Sequence, residues 1–182
     1  TVSNIEVCDD NGNGIISDFR LDQKRNEILD GANSQDYSID FYDNPTDRIS
    51  NSNPLGNIYQ NILSGGNTIY VRIIDINTGC INDNIQFDLV VNPKPTIANT
   101  IDPILICDTD FDNRYLFDFD NSNDQSYVSD LILDGLNPTE YSISYHSSLN
   151  AAIGASPITL PYENNSASET IWVRVENNTT GC

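Results

Sequence analysis

The sequence predicts an all-β chain built as two tandem copies of one module, and three observations predict it. The chain repeats itself, each copy alternates apolar and polar residues as strands do, and its cysteines fall at matching places. The segment Ile69-Tyr70-Val71-Arg72-Ile73 with Asn77-Thr78-Gly79-Cys80 returns as Ile171-Trp172-Val173-Arg174-Val175 with Thr179-Thr180-Gly181-Cys182, an offset of 102 residues. Tyr37-Ser38-Ile39 returns as Tyr141-Ser142-Ile143, and Ile28-Leu29-Asp30-Gly31 as Ile132-Leu133-Asp134-Gly135, both at an offset of 104. Cys8-Asp9 returns as Cys107-Asp108 at 99. Matched blocks in one order, with a drifting offset, mark a duplication with loops of variable length.

Within the copies the period is two. Ile69, Val71 and Ile73 share one face of a strand, with Tyr70 and Arg72 on the other; Ile171, Val173 and Val175 repeat this. Ile85 to Val91 reads as a further strand, ended by Asn92-Pro93-Lys94-Pro95, where two prolines end ladder pairing and stiffen a connector. That places the boundary between repeats at 1–95 and 96–182, with the final strand of the second copy missing. Gln23 to Leu29 reads as a short helix ahead of Asp30-Gly31, with Asp22 as N-cap. Short strands with Gly, Pro and Asn turns suggest two tandem immunoglobulin-like β-sandwich domains, each with one disulfide and one short helix.

Composition narrows function. A net charge of −19, from 27 acidic against 8 basic residues, repels polyanions, so nucleic acid is not an expected partner. No stretch approaches the roughly 20 apolar residues of a membrane span, so direct membrane insertion is not expected. The sequence has no methionine, and a mature internal fragment with targeting and anchoring segments elsewhere is the simplest expectation. One histidine, His146, on what reads as a polar surface strand face, gives little basis for nucleophilic catalysis, and the chain is not expected to be an enzyme.

The four cysteines allow three pairings, and the duplicate positions favour Cys8 with Cys80 and Cys107 with Cys182. Such bonds would close loops of about 72 and 75 residues, worth about 4 kcal/mol each on chain entropy, and would place the protein outside the cytoplasm. Free thiols are the alternative. Directly after each first cysteine comes an acidic loop, Asp9-Asp10-Asn11-Gly12-Asn13-Gly14 and Asp108-Thr109-Asp110-Phe111-Asp112-Asn113. Oxygen side chains at alternate positions, followed by Gly or Asn where the chain turns left-handed, resemble the first half of a calcium loop. The expected calcium ligands are Asp9, Asn11 and Asn13 in the first copy and Asp108, Asp110 and Asp112 in the second, completed from the next strand by Asp18, with Asp22 as the alternative, and by Asp118, with Asp120 as the alternative. The bidentate Glu of an EF-hand is absent, since Arg20 and Phe119 stand there, and an Asx-rich turn without metal is the alternative. If Cys107 and Cys182 share a pole, the Asp108 to Asp112 loop faces the junction between copies, where calcium would stiffen the joint.

The motifs Cys8 to Gly14, Tyr37 to Phe41, Thr68 to Arg72, Thr78 to Cys80 and Phe87 to Pro93, with second-copy partners for all but the last, resemble repeats strung along large surface proteins. Those proteins are exported by the type IX secretion system of Bacteroidetes-type gliding bacteria. The resemblance covers nearly the whole chain. It implies a structural or adhesive repeat of a long adhesin at the bacterial cell surface, supporting attachment or gliding motility, with neighbouring repeats as partners. The second copy departs from the pattern where Asn113 replaces a loop glycine. The alternative is a carbohydrate-binding or spacer module on a secreted enzyme, with Tyr70 and Trp172, pointing away from the apolar stripe, as contacts for surface polysaccharide.

Overall fold

The computed structural model describes residues 1–98 and 100–182, and the chain divides into two compact units, Thr1–Lys94 and Pro95–Cys182. The first contains β1 (Ile5–Asp9), β2 (Phe19–Arg20), α1 (Arg25–Leu29), β3 (Tyr37–Tyr42), α2 (Pro45–Ser50), β4 (Ile58–Tyr59), β5 (Gly66–Asp75) and β6 (Ile81–Pro93). The second contains β7 (Leu116–Phe117), α3 (Ser129–Leu133), β8 (Tyr141–His146), α4 (Leu149–Ile153), β9 (Tyr162–Glu163) and β10 (Trp172–Asn177). The chain is mostly β.

The first unit is organised by a four-stranded sheet of order β1-β6-β5-β3, with β2 and β4 as a separate pair. β6 runs antiparallel to β5 and parallel to β1, so it is bonded along both edges. The period-two pattern now has a reason: Ile69, Val71 and Ile73 of β5 and Phe87, Leu89 and Val91 of β6 are all buried on one face, with Ile39 and Phe41 of β3 and Ile28 of α1. Each such side chain contributes about 1.5–3 kcal/mol of hydrophobic stabilisation. Phe41 and Phe87 meet edge to face at 6.2 Å.

The second unit repeats the β3–β5 pair as β8–β10 in the same register. Ile39 faces Ile73 and Phe41 faces Val71 in the first unit; Ile143 faces Val175 and Tyr145 faces Val173 in the second. Among the described residues, no strand of the second unit corresponds to β6.

Four local expectations are corrected. The helix read as Gln23 to Leu29 starts as a 3-10 turn at Leu21–Lys24 and continues as α1. Asp22 lies inside that turn, bonded to Arg20 at 3.2 Å, and caps nothing. Each unit has a second helix, α2 and α4, opened by side-chain caps: Asn44 accepts the Asp47 N–H at 2.8 Å and Ser148 accepts the Ala151 N–H at 3.2 Å. These helices pack on the outer side of β3–β5 and β8–β10. His146 is therefore no surface residue. It is fully buried, as Tyr42 is at the matching place, with its ring nitrogens bonded to Ser144 Oγ and the Ser156 carbonyl.

At the end of β5 remote from the β5–β6 turn, Gly66 takes a φ of 116° that belongs to glycine, and a Cβ there would stand 1.9 Å from the Leu89 carbonyl oxygen. Gly66→Ala is expected to lower the unfolding free energy by about 2–4 kcal/mol in urea titration. Gly31→Ala, with φ 87° but open space around it, should cost only about 1–2 kcal/mol. Equal losses would show that the close approach to β6 is not what constrains Gly66.

Candidate functional site

The duplicated acidic loops are built atom for atom alike. In the first, Asp9 Oδ1 accepts the N–H groups of Asn11 at 3.2 Å and Gly12 at 2.8 Å, and Oδ2 accepts that of Gly14 at 2.7 Å. In the second, Asp108 Oδ1 accepts from Asp110 at 3.2 Å and Phe111 at 2.7 Å, and Oδ2 from Asn113 at 2.8 Å. Gly12 and Gly14 take φ of 76° and 71°; Phe111 and Asn113 take 65° and 61°. A left-handed phenylalanine costs about 1–2 kcal/mol that glycine does not, and Phe111 is left almost wholly in solvent. So the second loop keeps the backbone path that its sequence alone disfavours.

Electrostatics follow from these bonds. Burial alone would raise the Asp9 carboxyl, but the N–H groups of Gly14, Gly12 and Asn11 together hold it below its ordinary value. Asp108 is likewise lowered, first by the Asn113 N–H. Asp110 is raised, by its hydrogen bond with Asp108 and then by the charge of Asp112.

The structure brings Asp108, Asp110 and Asp112 together: one oxygen from each lies within 4.8 Å of the others, all exposed. Three hard oxygens at that spacing suit a cation that takes 6–8 oxygen ligands. Among the described residues this is the only such group of three or more acidic, His or Cys side chains, so Asp118 does not join it. The Asp118 N–H instead donates to Ser126 Oγ at 3.0 Å. The first loop gathers fewer charges. Asn11 and Asn13 use their amide oxygens on the N–H groups of Asn13 and Ile15, and Asp10 turns to Lys94 at 2.7 Å. Asp18 is exposed.

Sequence reasoning missed the residue that clamps each loop. Asn61 is fully buried; its Nδ2 donates to the carbonyls of Gly14 at 2.8 Å and Leu63 at 2.6 Å, and its Oδ1 accepts the Ile16 N–H at 2.6 Å. Asn164 does the same with Asn113 at 2.8 Å, Ser166 at 2.7 Å and the Tyr115 N–H at 2.6 Å. The signal was available as a further duplicated block, Tyr59-Gln60-Asn61 and Tyr162-Glu163-Asn164.

The cysteines overturn the expected pairing. Cys80 and Cys107 are exposed free thiols, while Cys8 and Cys182 are disulfide-bonded. Bonds Cys8–Cys80 and Cys107–Cys182 are therefore not formed. The strand register supplies the reason for the first: Cys8 on β1 stands opposite Asn92, near the end of β6, whereas Cys80 immediately precedes Ile81, where β6 begins. At about 3.3 Å per residue the two are roughly 30 Å or more apart. A disulfide spans about 4.4–6.8 Å between Cα atoms. The cysteines of one module sit at its opposite poles. The second unit repeats the turn that sets the end cysteine: Asn177 N–H donates to the Cys182 carbonyl at 2.7 Å, as Asp75 N–H does to Cys80 at 2.9 Å.

A sequence profile of the Flavobacterium inter-domain disulphide bond domain matches residues 4–95 and, a second time, 103–182. The chain belongs to this family. Both copies found by internal similarity are thus copies of the family's domain. No curated protein and no solved structure matches the chain. No helix among the described residues is long and apolar enough to cross a membrane.

The two candidate glycan contacts are differently placed. Tyr70 is half-buried with the Arg48 guanidinium 5.5 Å from its ring centre, and Trp172 is 41% exposed at the start of β10. They lie in different units.

Asn61→Ala deletes three hydrogen bonds at a fully buried position and leaves the Gly14 carbonyl and Ile16 N–H without that partner. The unfolding free energy of the first unit is expected to fall by about 2–4 kcal/mol in urea titration. A loss below about 0.5 kcal/mol, the range of an ordinary surface substitution, would show that the clamp does not hold the loop.

Proposed function

We propose that this chain is a non-catalytic structural element of a tandem array, in which disulfides run between modules and tie successive repeats together. The observation that carries the reading is the position of the cysteines of the first module, one at each pole and too far apart to pair within it. Its support is the free state of Cys80 and Cys107 beside the bonded state of Cys8 and Cys182, together with the family's description as an inter-domain disulphide bond domain. On this reading the start cysteine of the first module, Cys8, bonds the end cysteine of the second, Cys182. The same rule gives exposed Cys80 and Cys107 partners on neighbouring modules of an array.

A disulfide-tied array belongs in an oxidising compartment, so the proposed location is extracellular. The further reading is of immunoglobulin-like repeats in a type IX-secreted surface adhesin of a Bacteroidetes-type bacterium, serving attachment or gliding. It rests on the motif resemblance and on the family match. Peptide mapping of unreduced protein tests the core of the proposal. It should recover a peptide joining Cys8 to Cys182, with Cys80 and Cys107 alkylated; a Cys8–Cys80 or Cys107–Cys182 peptide would contradict it.

Calcium stiffening is a second reading, favoured by the Asp108, Asp110 and Asp112 oxygens. An ion there would compete with the Asp108 hydrogen bond, and offset the Asp112 charge, that together raise Asp110, with an affinity in the extracellular range of about 10⁻⁴ to 10⁻³ M. Calcium is expected to raise the melting temperature of the second unit, and Asp110→Asn to abolish the rise. Identical melting in calcium and in excess chelator would remove this reading and leave the disulfide proposal standing.

A further inference from the structure

The second unit contains a groove that the first unit fills with its own β6. In the first unit β6 is hydrogen bonded to β5 on one edge and β1 on the other, and it buries Phe87, Leu89 and Val91. In the second unit β10 pairs with β8 alone, and among the described residues its other edge carries no strand. The segment Ile104-Leu105-Ile106-Cys107-Asp108 matches β1 at the cysteine offset, yet it forms no strand. The physical cause is direct, since β1 has β6 as its sole ladder partner.

The consequence is an open apolar space of about 520 Å³ between these two edges, lined by Ile101, Ile104, Phe117, Phe119, Ile171 and Val173 among others. That volume lies within the range of about 300–1,000 Å³ typical of binding pockets. Burial changes accordingly. Ile69 and Val71 are fully buried in the first unit, whereas Ile171 and Val173 are only half-buried, and Leu105 is 87% exposed.

The turn at the end of β10 is already set for such a strand. Gly181 N–H donates to the Asn177 carbonyl at 2.8 Å and Asn177 N–H to the Cys182 carbonyl at 2.7 Å. These repeat the bonds of Gly79 to Asp75 at 2.7 Å and Asp75 to Cys80 at 2.9 Å, from which the chain passes directly into β6.

We infer that the groove is a strand-accepting site for an extended polypeptide with the pattern of β6, apolar at alternate positions as in Ile85, Phe87, Leu89 and Val91, entering at the Cys182 turn. The register follows from the filled copy. Phe87 faces Ile69 and Ile85 faces Val71, so the matching side chains of the incoming strand stand opposite Ile171 and Val173. Leu89 faces Ile5 and Val91 faces Val7, so the next two stand opposite Ile104 and Ile106. The strand runs antiparallel to β10 and parallel to residues 104–108, supplying main-chain bonds along both edges. This inference does not depend on how the cysteines pair.

The test is hydrogen exchange on the full chain with a synthetic peptide of the sequence Ile81–Pro93. Exchange at residues 104–107 and 171–175 is expected to slow by about tenfold or more. A peptide carrying Phe87→Asp and Leu89→Asp should leave it unchanged. Because binding in trans can be weak, the same sequence is also joined after Cys182 of the full chain, where the same protection and a higher melting temperature of the second unit are expected. No added protection in the joined chain overturns the inference. So does peptide protection confined to the first unit, which would mean exchange with its own β6. So too does a doubled mass by light scattering with these amides already protected in the chain alone, which would assign the groove to a second copy.

Discussion

The first unit depends on one constraint, the insertion of β6 between β5 and β1. Thirteen residues of β6 run the length of the sheet, antiparallel to one neighbour and parallel to the other. The antiparallel partner needs only the turn at Asn77–Cys80, so it forms locally. The parallel partner comes from the opposite end of the module, because parallel strands cannot be joined by a tight turn. That arrangement puts Cys80 where β6 begins and Cys8 near where it ends. Cysteine placement in the first module is thus a property of strand order, and it makes a bond within that module impossible.

The same constraint separates what the sequence made legible from what it hid. The alternation in Thr68 to Ile73 and in Ile85 to Val91 is a local signal, and β5 and β6 bear it out: Ile69, Val71, Ile73, Phe87, Leu89 and Val91 are buried, and Ile85 is partly buried. β1 was not legible, because Ile5 to Asp9 is a strand only through partners more than eighty positions away. The pairing of cysteines failed for the same reason. Matching places in a duplicate say which residues are equivalent, but they do not say whether two of them lie at one pole or two. The helices α2 and α4 had clear signals in Asn44-Pro45 and Ser148, and missing them put His146 on a surface it does not occupy.

The acidic loops were legible as loops, and their repeated shape has an identifiable origin. One aspartate takes three backbone N–H groups in each copy, and one buried asparagine closes the loop from the other side. This scaffold is independent of the remaining side chains. It tolerates Phe111 and Asn113 in left-handed conformations and two asparagines where the other copy has aspartates. The acid-rich loop of the second unit is therefore a variation laid on a common frame, and the asparagine clamp is the part of the frame that sequence patterning did not single out.

The most direct test of this account is the distance between Cys8 and Cys80. Spin labels on these two cysteines, with Cys107 and Cys182 replaced by alanine, should report a separation of roughly 30 Å or more by pulsed dipolar spectroscopy, as expected for residues at opposite ends of one long strand. Short-range dipolar broadening, with the sites inside the reach of about 4.4–6.8 Å that a disulfide requires, would contradict it.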